Sequence, residues 1–371
     1  METAHRVHIG DSQSLTELDT NAVDLVVTSP PYPMIEMWDE LFCSLDPAIE
    51  EYLDAGQGRE AFEAMHTALD SVWESLGRVL VDGGIACINI GDATRRLDGS
   101  FRRYQNHSRI VAAFDELGFE PLPSILWRKP TNSAAKFMGS GMVPPNAYVT
   151  LEHEHILVFR NGQRKRDFEP NANRRYGAAF FWEERNRWFS DLWTDITGRS
   201  QQLQGVDSRE RSAAYPFGIP YRLICMYSVY GDTVLDPFWG TGTTTLAAMA
   251  AGRNSVGKEL DETFKAGFEK QLTELPERTD QLLRRRLTAH EEFVETRRAD
   301  GESFEYEADH YAFPVMTKQE QPIRFYGIAR IDTTDSGYRV SHSPIGVDWQ
   351  HATEPESAEQ TGADTTDEPS E

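Results

Sequence analysis

Apolar positions along the chain follow two periods. Residues 5–9 (HRVHI) and 24–28 (DLVVT) read as short strands, the second closed by the prolines of VVTSPPYP. Between residues 61 and 80 the apolar positions instead recur at helical spacing (Phe62, Met65, Leu69, Val72, Trp73, Leu76, Leu80). Asp82-Gly83-Gly84 then reads as a turn into the apolar strand IACINIGD. A helix over 108–117, ended by Gly118, leads to strands at 124–127 (SILW) and 155–159 (HILVF). Further on, helices at 221–230 and 243–251 alternate with strands at 233–235 and 254–257. Alternation of this kind predicts an α/β fold: a mostly parallel sheet with helices on both faces. Residues 260–298 read as a long charged helix, and 323–340 as a small hairpin pair.

Residues 161–205 break the pattern, being polar and rich in arginine and aromatics (FFWEERNRWFSDLW). They read as an inserted recognition element. The expected division is a first half over 1–160, an insert over 161–210, a second half over 211–265 and a helical and β extension over 266–350. Residues 351–371 hold seven carboxylates and no basic residue, so disorder is expected there.

Charge changes the picture. The formal net charge of -23 over 371 residues argues against a polyanionic partner until its distribution is read. From residue 95 to 187 there are 16 Lys+Arg against 10 Asp+Glu, so a basic middle sits in an acidic chain. Lysine supplies only 7 of the 37 basic residues, a balance that fits adaptation to a salt-rich cytoplasm. No apolar run approaches the ~18 residues of a membrane span. The N-terminus METAHRVHIGD has no apolar segment behind a basic start, so neither signal peptide nor membrane is expected. Cys43, Cys87 and Cys225 are scattered and odd in number, which suits a reducing cytoplasmic interior.

The segment VLDPFWGTGTTTLAAMAAGRNSVGKE runs from a strand through Asp236-Pro237 and Gly240-x-Gly242 into a small-residue helix, and ends a second strand at Glu259. In doubly wound sheets such a turn lets backbone approach a ligand, and an acid at the next strand end meets ribose hydroxyls. Thr245 stands where a dinucleotide fingerprint needs its third glycine, and Thr243 where a phosphate loop needs lysine.

DPFWGTGTT resembles the cofactor motif of DNA amino-methyltransferases, and VTSPPY resembles their catalytic motif. The likeness covers roughly the first 265 residues, with the motifs in the permuted order of the β group. It implies a Rossmann-like methyltransferase fold with S-adenosylmethionine as cofactor. By the same resemblance, Phe238, Gly240 and Gly242 meet the methionine part, Glu259 the ribose and Asp11 the adenine, with Asp236, Pro237 and Thr243 in the same site. AYPFGIPYRLI resembles the segment closing the methionine side, with Tyr215 and Pro216 in place of Phe-Pro, although Arg211-Ser212-Ala213 departs from the usual His-Pro-Ala.

An exocyclic amine has its lone pair conjugated with the ring, so its methylation requires fixed acceptors for the two amine hydrogens. Ser29 Oγ and the Pro30 carbonyl are the expected acceptors, Pro30-Pro31 stiffen the turn, and Tyr32 is the expected platform for a base rotated out of the duplex. Serine at the first position resembles the cytosine-N4 enzymes, whereas D-P-P-Y is the usual adenine-N6 form. A non-catalytic DNA-binding protein on the same scaffold is the alternative of another class. Carbon-5 methylation would need a Pro-Cys thiolate, and no cysteine here follows proline.

Double-stranded DNA is the expected partner, with a separate restriction endonuclease possible and a monomer or homodimer as the state. Arg102, Arg103, Arg164, Lys165, Arg166, Arg174 and Arg175 are candidate phosphate contacts; Arg185, Arg187, Trp182 and Trp188 are candidates for bases. His153 and His155 with Glu152 and Glu154 imitate a metal group, but alternation puts both rings on one strand face with no third ligand nearby in sequence. A structural role and no metal are expected.

Overall fold

The structure, a computed structural model, describes residues 1–129, 138–139, 141–197 and 215–349. Among the described residues ten strands form one sheet: β1 (Glu2–Ile9), β2 (Val23–Thr28), β3 (Leu80–Ile90), β4 (Phe119–Arg128), β5 (His153–Asn161), β6 (Leu192–Trp193), β7 (Thr233–Asp236), β8 (Asn254–Glu259), β9 (Tyr326–Thr334) and β10 (Gly337–Pro344). Their spatial order is β6-β4-β5-β3-β2-β7-β8-β1-β10-β9. Only β5 and β10 run against the other strands.

Strand alternation divides two cores. Val26, Ala86, Ile88, Leu157 and Phe159 face one side, under α1 (Gly58–Val79) and α2 (Asn106–Glu116). Leu25, Val27, Cys87, Ile156 and Val158 face the other, under α3 (Gly218–Tyr227) and α4 (Thr243–Ala250). Sheets buried on both faces read as continuous apolar runs, which is why DLVVT and IACINI are legible as strands.

Three expectations need correction. Asp82-Gly83-Gly84 is not a turn before β3 but part of it, where the register against β2 shifts between Val23 and Leu25. Gly83 takes φ +75°, and a Cβ there would run into the backbone of residues 164–166. The hairpin expected at 323–340 lies at 326–344 as β9 and β10, and β10 pairs with β1, so it extends the main sheet. Residues 161–197 are less irregular than their composition suggests, with short helices at Asn173–Gly177 and Trp182–Trp188 and strand β6 on the sheet edge. Helix α5 (Phe264–Ala299) contains Pro276 and carries a further core of Phe181, Leu283, Leu287, Phe313 and Phe325. The tail at 351–371 lies outside the described residues.

Strands β2 and β7 are neighbours, with Leu25 opposite Val234 and Val26 opposite Leu235. The chain leaves β2 for β3 on one side and β7 for β8 on the other. The sheet therefore changes direction between them, which opens a crevice at their carboxyl ends.

Candidate active site

The crevice is a cleft of about 1140 Å³. Ser29, Pro30, Pro31 and Tyr32 line it after β2, and Asp236, Pro237, Phe238, Gly240 and Thr243 line it after β7. Asp11 beyond β1, Glu259 ending β8 and Tyr215 also line it, whereas Pro216 and Gly242 are not among its lining residues. Two motifs more than two hundred residues apart thus share one wall.

Asp236 joins the two strand ends. Its carboxylate accepts from the Thr28 hydroxyl at 2.6 Å, the Thr244 hydroxyl at 2.6 Å and the Phe238 amide at 3.1 Å. Burial pushes its pKa up to about 6 even against these donors. The Tyr215 hydroxyl shares a hydrogen bond with Thr244, which seats that ring against the same network. Burial raises the Tyr215 hydroxyl well above its ordinary value and keeps it neutral.

The turn after β7 is shaped for close approach. Gly240 takes φ +49° with open space where a Cβ would stand. Gly242 takes φ +75°, and a Cβ there would collide with the rings of Phe268 and Trp239. Glu259 accepts from the Gly240 amide at 2.7 Å through Oε2 and from the Leu260 and Asp261 amides through Oε1. Burial raises its pKa, and both Glu259 and exposed Asp11 line the cleft. Acceptors at two adjacent strand ends, an aromatic face at Phe238 and a glycine turn without side chains fit an adenosine carrying a methionine.

Beyond the prolines of the β2 turn, Tyr32 is tied down at its hydroxyl. It donates to Glu154 Oε2 at 2.9 Å and accepts from Asn89 Nδ2 at 2.9 Å. Asn89 also donates to Glu154 Oε2 at 2.7 Å, and Lys129 Nζ lies 2.7 Å from Glu154 Oε1. Ser29 Oγ stands 3.2 Å from the Tyr32 oxygen. The ring rests over Gly91, where a Cβ would come within 2.9 Å of Tyr32 Cε2. Burial and the adjacent Glu154 carboxylate hold the Tyr32 hydroxyl well above its ordinary pKa. Sequence reasoning did not assign Asn89, Lys129 or Glu154 to this site. A signal existed for Glu154: on β5 it is in phase with buried Ile156 and Val158, a carboxylate where alternation calls for an apolar side chain.

His153 and His155 do share a strand face, and the fold adds the third group missing from the local sequence. Asp92, His107 and His155 bring their ligand atoms within 4.8 Å of one another, with the imidazoles of His107 and His155 stacked at 4.0 Å. Asp92 is already occupied: Oδ1 accepts from the His107 ring and backbone at 2.8 and 3.2 Å, and Oδ2 from Arg103 at 2.9 and 2.5 Å. Burial and neighbouring His107 lower His155 to about 4, so it stays neutral.

The basic candidates separate. Arg102 and Arg103 are exposed on a hairpin (Ala93–Leu97 with Ser100–Tyr104) that starts at the cleft rim, and Phe101 of this hairpin stacks on Tyr148 at 5.1 Å. Arg164, Lys165, Arg166, Arg174 and Arg175 lie elsewhere. Arg166 pairs with Asp24 at 2.8 Å and Asp232 at 2.7 Å, and Arg174 reaches Asp232 at 3.4 Å. Asp24 and Asp232 stand at the amino ends of β2 and β7, the edge opposite the cleft. Arg175 joins them over the Phe168 ring. Arg166 and Arg174 are thus held in an ion-paired seam, while Arg164 and Lys165 are exposed. Arg185 and Arg187 are exposed, as is Trp182, but Trp188 is buried beneath the Arg222 and Arg286 guanidiniums and cannot stack on a base. Arg211-Ser212-Ala213 lies outside the described residues.

Similarity to known proteins agrees with this geometry. A family model described as DNA methylase matches residues 23–270. The type II methyltransferase M.MthZI of Methanothermobacter thermautotrophicus is 50% identical over 328 residues, covering 88% of this chain and 91% of that protein. M.MjaI of Methanocaldococcus jannaschii, also a type II methyltransferase, is 48% identical over 281 residues, covering 73% of this chain and 91% of that one. Among solved structures, a DNA modification methylase of Thermus thermophilus complexed with S-adenosyl-L-methionine is 30% identical, with a TM-score of 0.57, covering 73% of this chain and 94% of that one. The matched span begins at β2 and ends within α5, and so contains both motif turns of the cleft. The chain therefore belongs to the DNA methylase family whose members modify amine nitrogens, N6 or N4.

Proposed function

We propose that this DNA methyltransferase modifies the N4 amine of cytosine at a specific site in duplex DNA, on a base rotated into the cleft. The methyl donor is S-adenosylmethionine, which supplies an electrophilic sulfonium methyl when bound. Phe238, Gly240, Glu259 and Asp11 would hold it, with Asp236 fixing the turn between them. The observation that carries the reading is the shared wall of Ser29-Pro30 and Asp236-Phe238 on adjacent strands.

Ser29 Oγ accepts one amine hydrogen and the Pro30 carbonyl the other. Two fixed acceptors draw the nitrogen away from planarity and release its lone pair toward the methyl group. Tyr32, held at its hydroxyl and lining the cleft, presents its ring to the base. A carbon-5 mechanism is disfavoured because burial pushes the Cys87 thiol far up, and burial with nearby Asp39 also raises Cys43. Serine in the first motif position supports cytosine N4 over adenine N6.

The duplex would sit on the rim built by Arg102, Arg103 and the stacked Tyr148, with Arg185 and Arg187 as further contacts. The type II names of the relatives support a short recognition site and a separate restriction endonuclease as partner. The lysine-poor acidic composition supports a salt-rich cytoplasm. Mass spectrometry of nucleosides from duplex DNA treated with protein and donor should find N4-methylcytosine. Finding N6-methyladenine in its place would overturn the cytosine assignment.

A further inference from the structure

We propose that Glu154 acts as a positioning residue that makes Ser29 an acceptor, working through the Tyr32 hydroxyl. This follows from proton accounting along Ser29, Tyr32, Asn89 and Glu154, and it rests on the reading of Ser29 as an amine acceptor.

Glu154 is 7% exposed, and its Oε2 receives both the Asn89 amide at 2.7 Å and the Tyr32 hydroxyl at 2.9 Å. Asn89 is 2% exposed, and its orientation follows from its partner. Turned over, the amide would set Oδ1 against the Glu154 carboxylate, two acceptors face to face. The NH2 group therefore points at Glu154 and at the Tyr32 oxygen, 2.9 Å away. Tyr32 has one hydrogen, and Glu154 takes it. The phenolic oxygen is left with lone pairs only: one meets Asn89, and the other faces Ser29 Oγ at 3.2 Å. Nothing at Tyr32 can donate to Ser29, so the serine hydroxyl gives its hydrogen to Tyr32. Of its own lone pairs, one faces Asn89 Nδ2 at 3.5 Å, whose two hydrogens already go to Glu154 and Tyr32 at shorter range, and the other is available to the target amine.

Without Glu154 the chain can run the other way. Tyr32 would be free to donate to Ser29, and the serine hydrogen would turn toward the amine it should receive. Lys129 supports the arrangement from the far side, 2.7 Å from Oε1, as counter-charge to the buried carboxylate. Removing an oriented partner of a developing charge typically costs ~10²-fold or more in kcat.

The test is a kinetic cycle on duplex substrate with Glu154→Gln, Ser29→Ala and the double variant. Glu154→Gln should lower kcat about 10²-fold, with KM for the methyl donor unchanged within about twofold, since the Glu154 hydrogen bonds go to Tyr32, Asn89 and Lys129 and not to Asp11 or Glu259. In the Ser29→Ala background the same substitution should cost less than about threefold, because the group it positions is gone. Equal losses in both backgrounds would overturn the proposal, since Glu154 would then act on its own. Tyr32→Phe, which removes only the intermediate hydroxyl, provides the second cycle for the case where Glu154→Gln fails to fold: its loss should likewise vanish without Ser29, and a loss that persists overturns the proposal. The methylated base is read separately by mass spectrometry, so a wrong base counts against the cytosine assignment and the cycle alone judges the relay.

Discussion

Single side chains in this cleft have their protonation set by burial. Asp236 titrates at about 6 in the folded state against 3.8 for the free side chain. Between those values the folded protein holds a proton that the unfolded chain has released. The carboxyl therefore favours folding most below pH 4, and its contribution falls as pH rises through 6, by ~3 kcal/mol in all. Asparagine preserves the acceptor for Thr28 and Phe238, and Thr244 can turn its hydrogen to the Val27 carbonyl 3.3 Å away. Asp236→Asn should accordingly gain up to ~3 kcal/mol over the wild type between pH 4 and pH 8 in urea unfolding. A difference that stays flat across that range would show that Asp236 titrates as an ordinary carboxylate. At this scale Ser29, Tyr32, Asp236 and Glu259, which the sequence motifs single out, all line the cleft. The sequence reading did not identify Asn89, Lys129 or Glu154, whose partners lie 57, 25 and 122 residues away in the chain.

At the level of elements, the turn from β7 into α4 shows how a motif is fixed by its neighbours. Gly240 and Gly242 both take positive φ, but only Gly242 is walled in, by Phe268 of α5 and by Trp239. Trp239 is itself locked by its indole hydrogen bond to Thr245 at 2.9 Å. Gly242→Ala should lose about 2–5 kcal/mol, left-handed strain added to overpacking. Gly240→Ala should lose only the strain, about 1–2 kcal/mol. Comparable unfolding midpoints for the two variants would refute the steric account. The same comparison explains why a bare G-x-G was legible while its consequences were not. Of the two rings that forbid a side chain at Gly242, the nearer, Phe268, comes from a helix that the local pattern does not connect to the turn. The Asp82-Gly83-Gly84 misreading has the same origin, since the backbone pressed against Gly83 belongs to residues 164–166.

For the whole molecule, a net charge of -23 means that self-repulsion opposes the compact state in dilute buffer. Screening at molar salt should relieve it, so the unfolding midpoint should rise by at least about 3 °C between about 0.1 and 2 M KCl. A midpoint that falls would sink the salt-adapted reading of the surface. The basic middle shows what a charge count does and does not reveal. Among its arginines are a rim pair, Arg102 and Arg103, the latter bonded to Asp92, and a seam pair, Arg166 and Arg174, that neutralises Asp24 and Asp232 under the opposite edge of the sheet. By itself the sequence determined most strands of the central sheet, the long helices and the two motif turns, because each is specified by the period or backbone geometry of a few consecutive residues. The tertiary structure alone decided that β2 and β7 lie side by side, that 326–344 completes the main sheet, which arginines are drawn into ion pairs, and that a carboxylate on β5 reaches the Ser29-Tyr32 turn. The physical reason is that strand adjacency, ion pairing and shared protons join residues far apart in the chain, and such contacts leave no period in it to read.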